Sequence, residues 1–267
     1  VSGISEFIEL PQIKSIDIAP RGTGSLRDTV EIIAQQPRRF APGARFSYSN
    51  SNYTVLARIA EIVTGQSFDD ALETSVLKPA GIEDIAACDR IDAARLIPGH
   101  DAAGAVWSLP PNIVPNYTGN GGLCASAEAM AQWTRALGSG RIVDGEQLAE
   151  MLKVAPVAKG YSPPYGFGVS VSPIAGFAAI SHSGSGEGWG AWAGYLPDHD
   201  MTIVILANRG WLWSTDLAAP VVRMLMGAPE PAPLARLKLT SAEFDVMIKR
   251  EVAANVALAK AAKLKFN

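Results

Sequence analysis

Hydrophobic residues recur at helical spacing through the first half of the chain. A stripe of apolar positions three and four residues apart is typical of a helix with one buried face. The pattern predicts four helices, over residues 25–36, 53–63, 68–77 and 127–137. Ser126 is a good N-cap for the fourth helix, Gly65 and Gly138 follow the ends of the second and fourth, and Pro79 should stop the third.

The second half of the chain changes to short apolar or alternating segments bounded by turn residues, which is typical of antiparallel strands. Four strands are predicted, over residues 166–171, 178–182, 190–196 and 201–207. Asp198-His199-Asp200 precedes the last of them and reads as a polar hairpin turn rather than a metal site. A capping-box pattern at Thr240 predicts an amphipathic helix that covers one face of the sheet.

Helices followed by a strand meander and a final helix predict an α+β fold, with an antiparallel sheet flanked by helices beside a helical subdomain. We expect residues 1–140 to be mainly helical and residues 141–267 to form the sheet and the C-terminal helix. The Pro-, Gly- and Asn-rich residues 81–120 read as a long connecting region.

Composition narrows the class of protein. A chain of 267 residues with 48% hydrophobic residues buries a core as one large domain or two small ones. A net charge of -3 gives no basic stripe, so nucleic acid is not expected as a partner, and no apolar run has transmembrane length. Three scattered histidines and no C-x-x-C predict neither a metal nor an organic cofactor. The pairing of Cys88 and Cys124 is open from sequence, and we expect two free, buried thiols.

Three local motifs carry candidate chemistry. They are Phe40 to Asn50, which includes Tyr48-Ser49-Asn50; Gly121 to Ser126; and Ile180 to Trp189, which includes His182-Ser183-Gly184. Each motif alone is weak, because a Tyr-Ser-Asn triplet is usually an aromatic anchor and a histidine beside glycines is usually structural.

In this order and spacing, the motifs resemble those of the serine β-lactamase-related family, which includes class C β-lactamases, penicillin-binding DD-peptidases, D-aminopeptidases and esterases. Tyr48-Ser49-Asn50 resembles its second motif, Tyr-x-Asn, and His182-Ser183-Gly184 resembles its third, Lys-Thr-Gly. Ser2-Gly3-Ile4 is similar to the segment that follows a His-Thr in these proteins. The resemblance covers roughly residues 1 to 210 and implies a β-lactamase/transpeptidase-like fold.

The resemblance also implies roles in an acyl-enzyme reaction on a small ester, amide or peptide-like substrate. Tyr48 would relay the proton, with its pKa lowered by a lysine, and Asn50 would orient that lysine and the substrate amide. His182 would donate to the substrate or assist proton transfer. Ser183, Gly184 and Ser185 would bind the substrate along an edge strand, Ser183 through its backbone groups. Members of this family are often exported, so the resemblance implies an exported or periplasmic location, and the sequence itself leaves the compartment open.

The family's first motif, Ser-x-x-Lys, should precede Tyr48, and nothing in residues 1–47 fits it. The chain's own match, Ser75 to Lys78, lies after Tyr48 and next to Pro79, so we interpret it as a coincidence. Three explanations stay open: truncation, a separate N-terminal piece, or a natural homologue without the nucleophile. The function expected is therefore a serine hydrolase whose nucleophile lies outside this chain, or alternatively a ligand-binding or interaction protein.

Two further features bear on the substrate. A histidine where β-lactamases carry lysine supplies no permanent cation, which favours esters and amides over penicillins. Four tryptophans either wall an apolar acyl pocket or pack between the sheet and the helices, namely Trp189, Trp192, Trp211 and Trp213.

Overall fold

The structure is a computed structural model, and it describes residues 1–8, 25–101, 104–107, 117–186, 188–209 and 214–229. Residues Val1–Met224 form one compact unit and Leu225–Asn267 form another. The division of the chain at residue 140 stays a prediction. The helix expected after Thr240 lies outside the described residues.

The described residues contain the four helices that the sequence predicts and two, α6 and α7, that it does not predict. They are α1 (Leu26–Ala34), α2 (Ser51–Thr64), α3 (Phe68–Leu72), α4 (Lys78–Ala80), α5 (Ala127–Gly138), α6 (Gly145–Met151) and α7 (Ser214–Met226). Side chains at Ser25 and Ser126 cap α1 and α5, and Gly65 ends α2 in the left-handed conformation. These caps fix the helix ends that the sequence predicts.

The third predicted helix does not stop at Pro79. A π-helical turn, Glu73–Leu77, joins α3 to α4, and the helix continues to Ala80 before Gly81 ends it with a φ of 67°. The missing N–H of proline is tolerated because Pro79 lies in the first turn of a new α-helical segment.

The central sheet has three antiparallel strands in the order β5 (Ile180–Ser185), β6 (Gly190–Leu196) and β7 (Met201–Ala207). The last two match the predicted strands, and the turn Pro197–His199 between them confirms the hairpin expected at Asp198. Helix α5 packs against β6 and β7. Helices beside antiparallel strands confirm the α+β class.

The strand predicted over residues 166–171 is wrong. Only Ser170 joins the sheet there, through an isolated bridge to Ser181 in β5. Gly166 and Gly168 turn the chain instead, with a φ of 80° at Gly168, so the run cannot stay extended. The neighbouring strand begins at Ile180, two residues later than predicted, and extends to Ser185.

The connecting region after α4 contains two small two-stranded ladders. Strand β1 (Ile85–Ala87) pairs with β4 (Leu123–Ala125), and β2 (Gly99–His100) pairs with β3 (Val106–Trp107), both antiparallel. The sequence does not predict these strands, because each has only two or three residues.

The expectation of free thiols is also wrong: Cys88 and Cys124 form a disulfide, with their Cα atoms 4.9 Å apart. The β1–β4 ladder aligns Ala86 with Cys124, and Cys88 follows at the end of β1. Its backbone N–H donates to the carbonyl of Gly122. This backbone pairing brings the two cysteines within bonding distance, which residue spacing alone could not reveal.

The first eight residues pack against the start of α2 and against α1. Phe7 is 1% exposed and forms a hydrophobic cluster with Ile33 of α1. The Ser51 hydroxyl accepts from the Phe7 N–H and donates to the Ser5 carbonyl. Gly3 has a φ of 77°, and a Cβ there would lie 2.1 Å from the Phe40 oxygen. This docking fixes the segment before α2, which carries Tyr48.

Candidate active site

Tyr48 faces out of the protein at the end of an extended segment. Residues 45–49 have no helical turn, so successive side chains alternate: Tyr48 is 48% exposed, whereas Ser49 is 5% exposed. The Tyr48 ring meets the Tyr165 ring edge to face, with centroids 6.0 Å apart. Its hydroxyl lies 3.5 Å from Oδ1 of Asn50, a long contact.

Asn50 is the N-cap residue of α2, and its side chain makes no capping hydrogen bond. Its backbone N–H instead donates to the carboxylate of Glu6, at 2.6 Å. A carboxylate beside the first turn of a helix is favourable because it meets unpaired N–H groups and the positive end of the helix dipole. Glu6 thus places a negative charge near the Tyr48 phenol.

His182 projects from β5, and both of its ring nitrogens have partners. Nδ1 lies 2.6 Å from the carbonyl oxygen of Ser183, and Nε2 lies 2.8 Å from the hydroxyl oxygen of Tyr165. The His182 and Tyr165 rings also meet edge to face, with centroids 5.8 Å apart.

Tyr48 and His182 line the same pocket, whose volume is about 360 Å³. Ser183 lines it too, whereas Asn50, Gly184 and Ser185 are not among its lining residues. Within the described ranges its lining residues are Tyr48, Tyr165, Ser170, Ser172, Pro173, Ile174, Ser181, His182, Ser183 and Trp192. None of these carries a permanent charge, so the described wall of the pocket is uncharged and partly apolar.

The pKa shifts in the pocket favour the neutral forms of its tyrosine and histidine side chains. Partial burial raises the pKa of Tyr48, the Glu6 carboxylate raises it further, and the polar contact with the Tyr165 hydroxyl opposes both. Burial is also the main cause of the raised pKa of Tyr165, beside two other phenols. Desolvation lowers the pKa of His182, although the Ser183 carbonyl opposes this. The lowered pKa expected for Tyr48 would need an ammonium group nearby, and the described pocket wall contains no lysine.

Tyr165 is the residue of this site that the sequence reasoning missed. It follows Pro163-Pro164 and precedes Gly166, a pattern of turn residues that marks a rigid bend in the chain. An aromatic residue at such a bend was the available signal. What it contacts depends on the fold, because Phe46, Tyr48 and His182 reach it from other segments.

Ser75 is exposed on the π-helical turn and is not among the pocket residues. The Lys78 ammonium pairs with Glu73 at 2.9 Å. The position of Ser75 outside the pocket agrees with the interpretation of this Ser-x-x-Lys match as a coincidence. That interpretation stays a prediction.

Two of the four tryptophans, Trp189 and Trp192, lie in the described residues. Trp192 is 3% exposed and also lines the pocket, so it packs in the core and walls the site. The Trp189 indole donates to the carbonyl of Ile97 and is not among the lining residues. Trp211 and Trp213 lie outside the described residues.

Across the described ranges, no group of three or more His, Cys, Asp or Glu side chains is arranged to hold a metal ion. Within the same ranges, no helix has the length and apolar character that crossing a membrane requires.

Known proteins with similar sequences belong to one family. The chain matches the Beta-lactamase family over residues 2–221. It is 26% identical over 204 residues to a D-aminopeptidase of Brucella ovis, an alignment that covers 73% of this chain and 38% of that protein. The chain therefore spans well under half the length of this relative.

Solved structures share the fold. A D-amino acid amidase from Ochrobactrum anthropi SV3, complexed with D-phenylalanine, superposes with a TM-score of 0.70 at 18% identity, over 85% of this chain and 70% of that one. A penicillin-binding protein from Bacillus halodurans gives a TM-score of 0.67 at 22% identity, over 83% and 69% of the two chains. The family match spans most of the chain, and these structures have the same architecture, so the chain belongs to the beta-lactamase family.

Proposed function

We propose that this chain forms two walls of the active site of a serine hydrolase, which cleaves a neutral ester or amide through an acyl-enzyme. The nucleophilic serine and its lysine come from residues outside this chain. Tyr48 acts as the proton relay, Asn50 orients the lysine and the substrate amide, and His182 forms the opposite wall with Ser183, Gly184 and Ser185 along β5.

The observation that carries the proposal is that Tyr48 and His182 line one pocket although they are far apart in sequence. One lies in the segment before α2 and the other on β5, so only the fold brings them together. A phenol and an imidazole in one partly desolvated cleft are groups that can move protons during acyl transfer.

The reaction would proceed in two balanced steps. The serine oxygen attacks the substrate carbonyl, and its proton passes through the lysine and Tyr48 to the leaving amine or alcohol as that bond breaks. Water then attacks the acyl-enzyme, gives up its proton by the same route, and releases the acid and the free serine. Tyr48 returns to its neutral form after each step, in keeping with its raised pKa.

The substrate class follows from the lining of the pocket. Pro173, Ile174 and Trp192 supply apolar surface, while Ser170 and Ser172 supply hydroxyl groups. An uncharged wall gives a substrate carboxylate no cation to pair with, which disfavours β-lactams and favours neutral acyl groups. The relatives named D-aminopeptidase and D-amino acid amidase make D-amino acid amides the first compounds to test.

A second candidate is a ligand-binding protein without turnover. The observation that favours it is that the described pocket wall holds four serines but no lysine that could activate them. In that case an acyl, peptide or cell-wall ligand would occupy the pocket and leave it unchanged.

The test is an intact-mass spectrum of the purified protein before and after treatment with a fluorophosphonate, which phosphonylates activated serines with loss of fluoride. A probe adduct on a second, lighter chain or on a species heavier than 28.2 kDa supports a nucleophile outside this chain. A single unlabelled species of 28.2 kDa, together with saturable ligand binding, would instead favour the binding protein.

Two variants make the labelling result specific. Tyr48→Phe removes the relay hydroxyl but keeps the ring, so it should slow labelling about 100-fold or more if Tyr48 moves the proton. Ser75→Ala should leave the labelling rate unchanged. An adduct that disappears with Ser75→Ala would show that the nucleophile is Ser75 and overturn the proposal.

A further inference from the structure

The Ser183 carbonyl determines which nitrogen of His182 carries the hydrogen. A carbonyl oxygen only accepts hydrogen bonds, and Nδ1 lies 2.6 Å from it, so Nδ1 must be the protonated nitrogen. In the neutral ring Nε2 is then an acceptor. The hydroxyl 2.8 Å away belongs to Tyr165, which must donate its hydrogen to Nε2.

We infer that Tyr165 is a positioning residue of this site: its hydroxyl holds His182 as the neutral Nδ1–H tautomer, and its ring links His182 to Tyr48. The role deepens the proposed function and rests on it, because positioning matters to catalysis only if the pocket is the catalytic site. The tautomer itself is a property of this chain.

The packing around Tyr165 shows why it can hold a fixed position. Its ring meets Phe46 at 6.1 Å, Tyr48 at 6.0 Å and His182 at 5.8 Å, each edge to face. The following residue, Gly166, accepts a close backbone approach, since a Cβ there would lie 2.1 Å from the Met151 oxygen. A ring enclosed on three sides and anchored by its backbone has little freedom to turn away from His182.

The arrangement has a chemical consequence. With Nδ1 bonded to Ser183 and Nε2 bonded to Tyr165, the neutral imidazole keeps no free N–H for a substrate. His182 therefore acts through the Tyr165 hydroxyl, which also lines the pocket. The titratable neighbour of the ring is Tyr165, and the described titratable groups around Tyr165 are the phenols of Tyr48 and Tyr53, with the Glu6 carboxylate near Tyr48. Desolvation lowers the pKa of His182, which keeps the ring neutral near pH 7.

The experiment is ¹⁵N NMR of the histidine side chains in the 267-residue chain, which has three histidines. Spectra of His182→Gln assign the His182 signals by their loss. In the unmodified protein, His182 should show a protonated Nδ1 and an unprotonated Nε2. Observation of the Nε2–H tautomer would overturn the inference without any Tyr165 variant.

Tyr165→Phe then tests the role of the hydroxyl, because it keeps the ring and removes one hydrogen bond that favours neutral His182. Losing a bond of about 1 kcal/mol should raise the titration midpoint of His182 by roughly 0.7 pH unit. The matched control is Tyr161→Phe, the same change at a side chain that is 77% exposed. It should leave the midpoint unchanged.

The signals of His100 and His199 report whether Tyr165→Phe remains folded. A folded Tyr165→Phe protein with the His182 midpoint and tautomer of the unmodified protein would overturn the inference. Fluorophosphonate labelling tests the proposed function separately: labelling can fail while the tautomer depends on Tyr165, and the tautomer can be independent of Tyr165 while labelling succeeds.

Discussion

The Glu6 carboxylate accepts a hydrogen bond from the backbone N–H of Asn50, with 2.6 Å between the oxygen and the nitrogen. This bond ties the first residues of the chain to the start of α2, where the Tyr48-Ser49-Asn50 motif lies. One side chain thereby supports both a helix N-terminus and the electrostatic environment of the Tyr48 phenol.

Replacing Glu6 should separate these two effects. Glu6→Ala leaves the Asn50 N–H without its partner and should lower the free energy of unfolding by about 1–2 kcal/mol. Glu6→Gln keeps an acceptor oxygen, so it should cost less. Urea unfolding followed by circular dichroism measures both variants, and equal losses would show that the hydrogen bond contributes nothing beyond the charge.

The charge effect has a definite sign. Because the Glu6 carboxylate raises the pKa of Tyr48, Glu6→Gln should lower that pKa. NMR titration of ¹³Cζ-labelled tyrosine measures it, with Tyr48→Phe used to assign the signal. A pKa for Tyr48 that rises or does not move in Glu6→Gln would contradict the electrostatic role of Glu6.

The Cys88–Cys124 disulfide joins residues 36 positions apart, so it restricts a long loop of the unfolded chain. The double variant Cys88→Ala/Cys124→Ala should lose about 2–4 kcal/mol of unfolding free energy. Urea unfolding of the unmodified protein under reducing conditions is the matched control and should show a similar loss. Free thiols in the non-reduced, denatured protein would mean that the bond does not form.

Sequence alone predicted the elements whose ends are set locally. The caps at Ser25 and Ser126 and the left-handed Gly65 depend on neighbouring residues, and strands β6 and β7 carry clear turn signals at both ends. The failed strand shows the limit. Gly166 approaches the Met151 backbone so closely that the chain bends there, and Met151 lies in another element.

The sequence likewise predicted only some residues of the candidate site. Tyr48 and His182 could be singled out because they lie in motifs that resemble a known family. Tyr165 and the disulfide depend on which segments meet after folding. The sequence around Tyr165 does not show which residue its hydroxyl will contact. His182 becomes its hydrogen-bond partner only because β5 and Tyr165 line the same pocket in the folded chain.

Asp70 should make the stability of the protein depend on pH in the acid range. The Ser67 hydroxyl and then the Arg90 guanidinium lower its pKa in the folded state. A lowered folded pKa stabilises the protein above the unfolded value of about 3.9, and this stabilisation is lost as the pH falls through the folded pKa. Asp70→Asn should therefore be less stable than the unmodified protein at pH 6, with the difference closing below about pH 3.

Asp69 provides a matched control with the opposite sign. Burial raises its pKa more than Arg90 lowers it, so ionisation of Asp69 disfavours folding and its stabilising contribution is lost as the pH rises. The stability of Asp69→Asn relative to the unmodified protein should improve with increasing pH over the same range. Urea midpoints between pH 2.5 and pH 7 measure both variants, and parallel trends in the two would contradict these assignments.

Gly138 is the last residue of α5, where alanine would ordinarily favour the helix by about 1 kcal/mol. Packing reverses that expectation, because a Cβ at Gly138 would lie 2.3 Å from Cδ1 of Tyr195 and 2.8 Å from its Cβ. Tyr195 is 6% exposed in β6, and its hydroxyl bonds to Asp200, so the ring cannot move away freely. Gly138→Ala should lower the free energy of unfolding by about 1–3 kcal/mol.

Gly145 is the matched control, since it begins α6 and a Cβ there would meet nothing within 4 Å. Gly145→Ala should be neutral or slightly stabilising in the same urea experiment. A loss in both variants would point to a general cost of replacing helical glycines. A loss confined to Gly138→Ala would instead show that the contact between α5 and β6 is packed too closely for one more methyl group, which fixes the helix against the strand beside β5 and its His182.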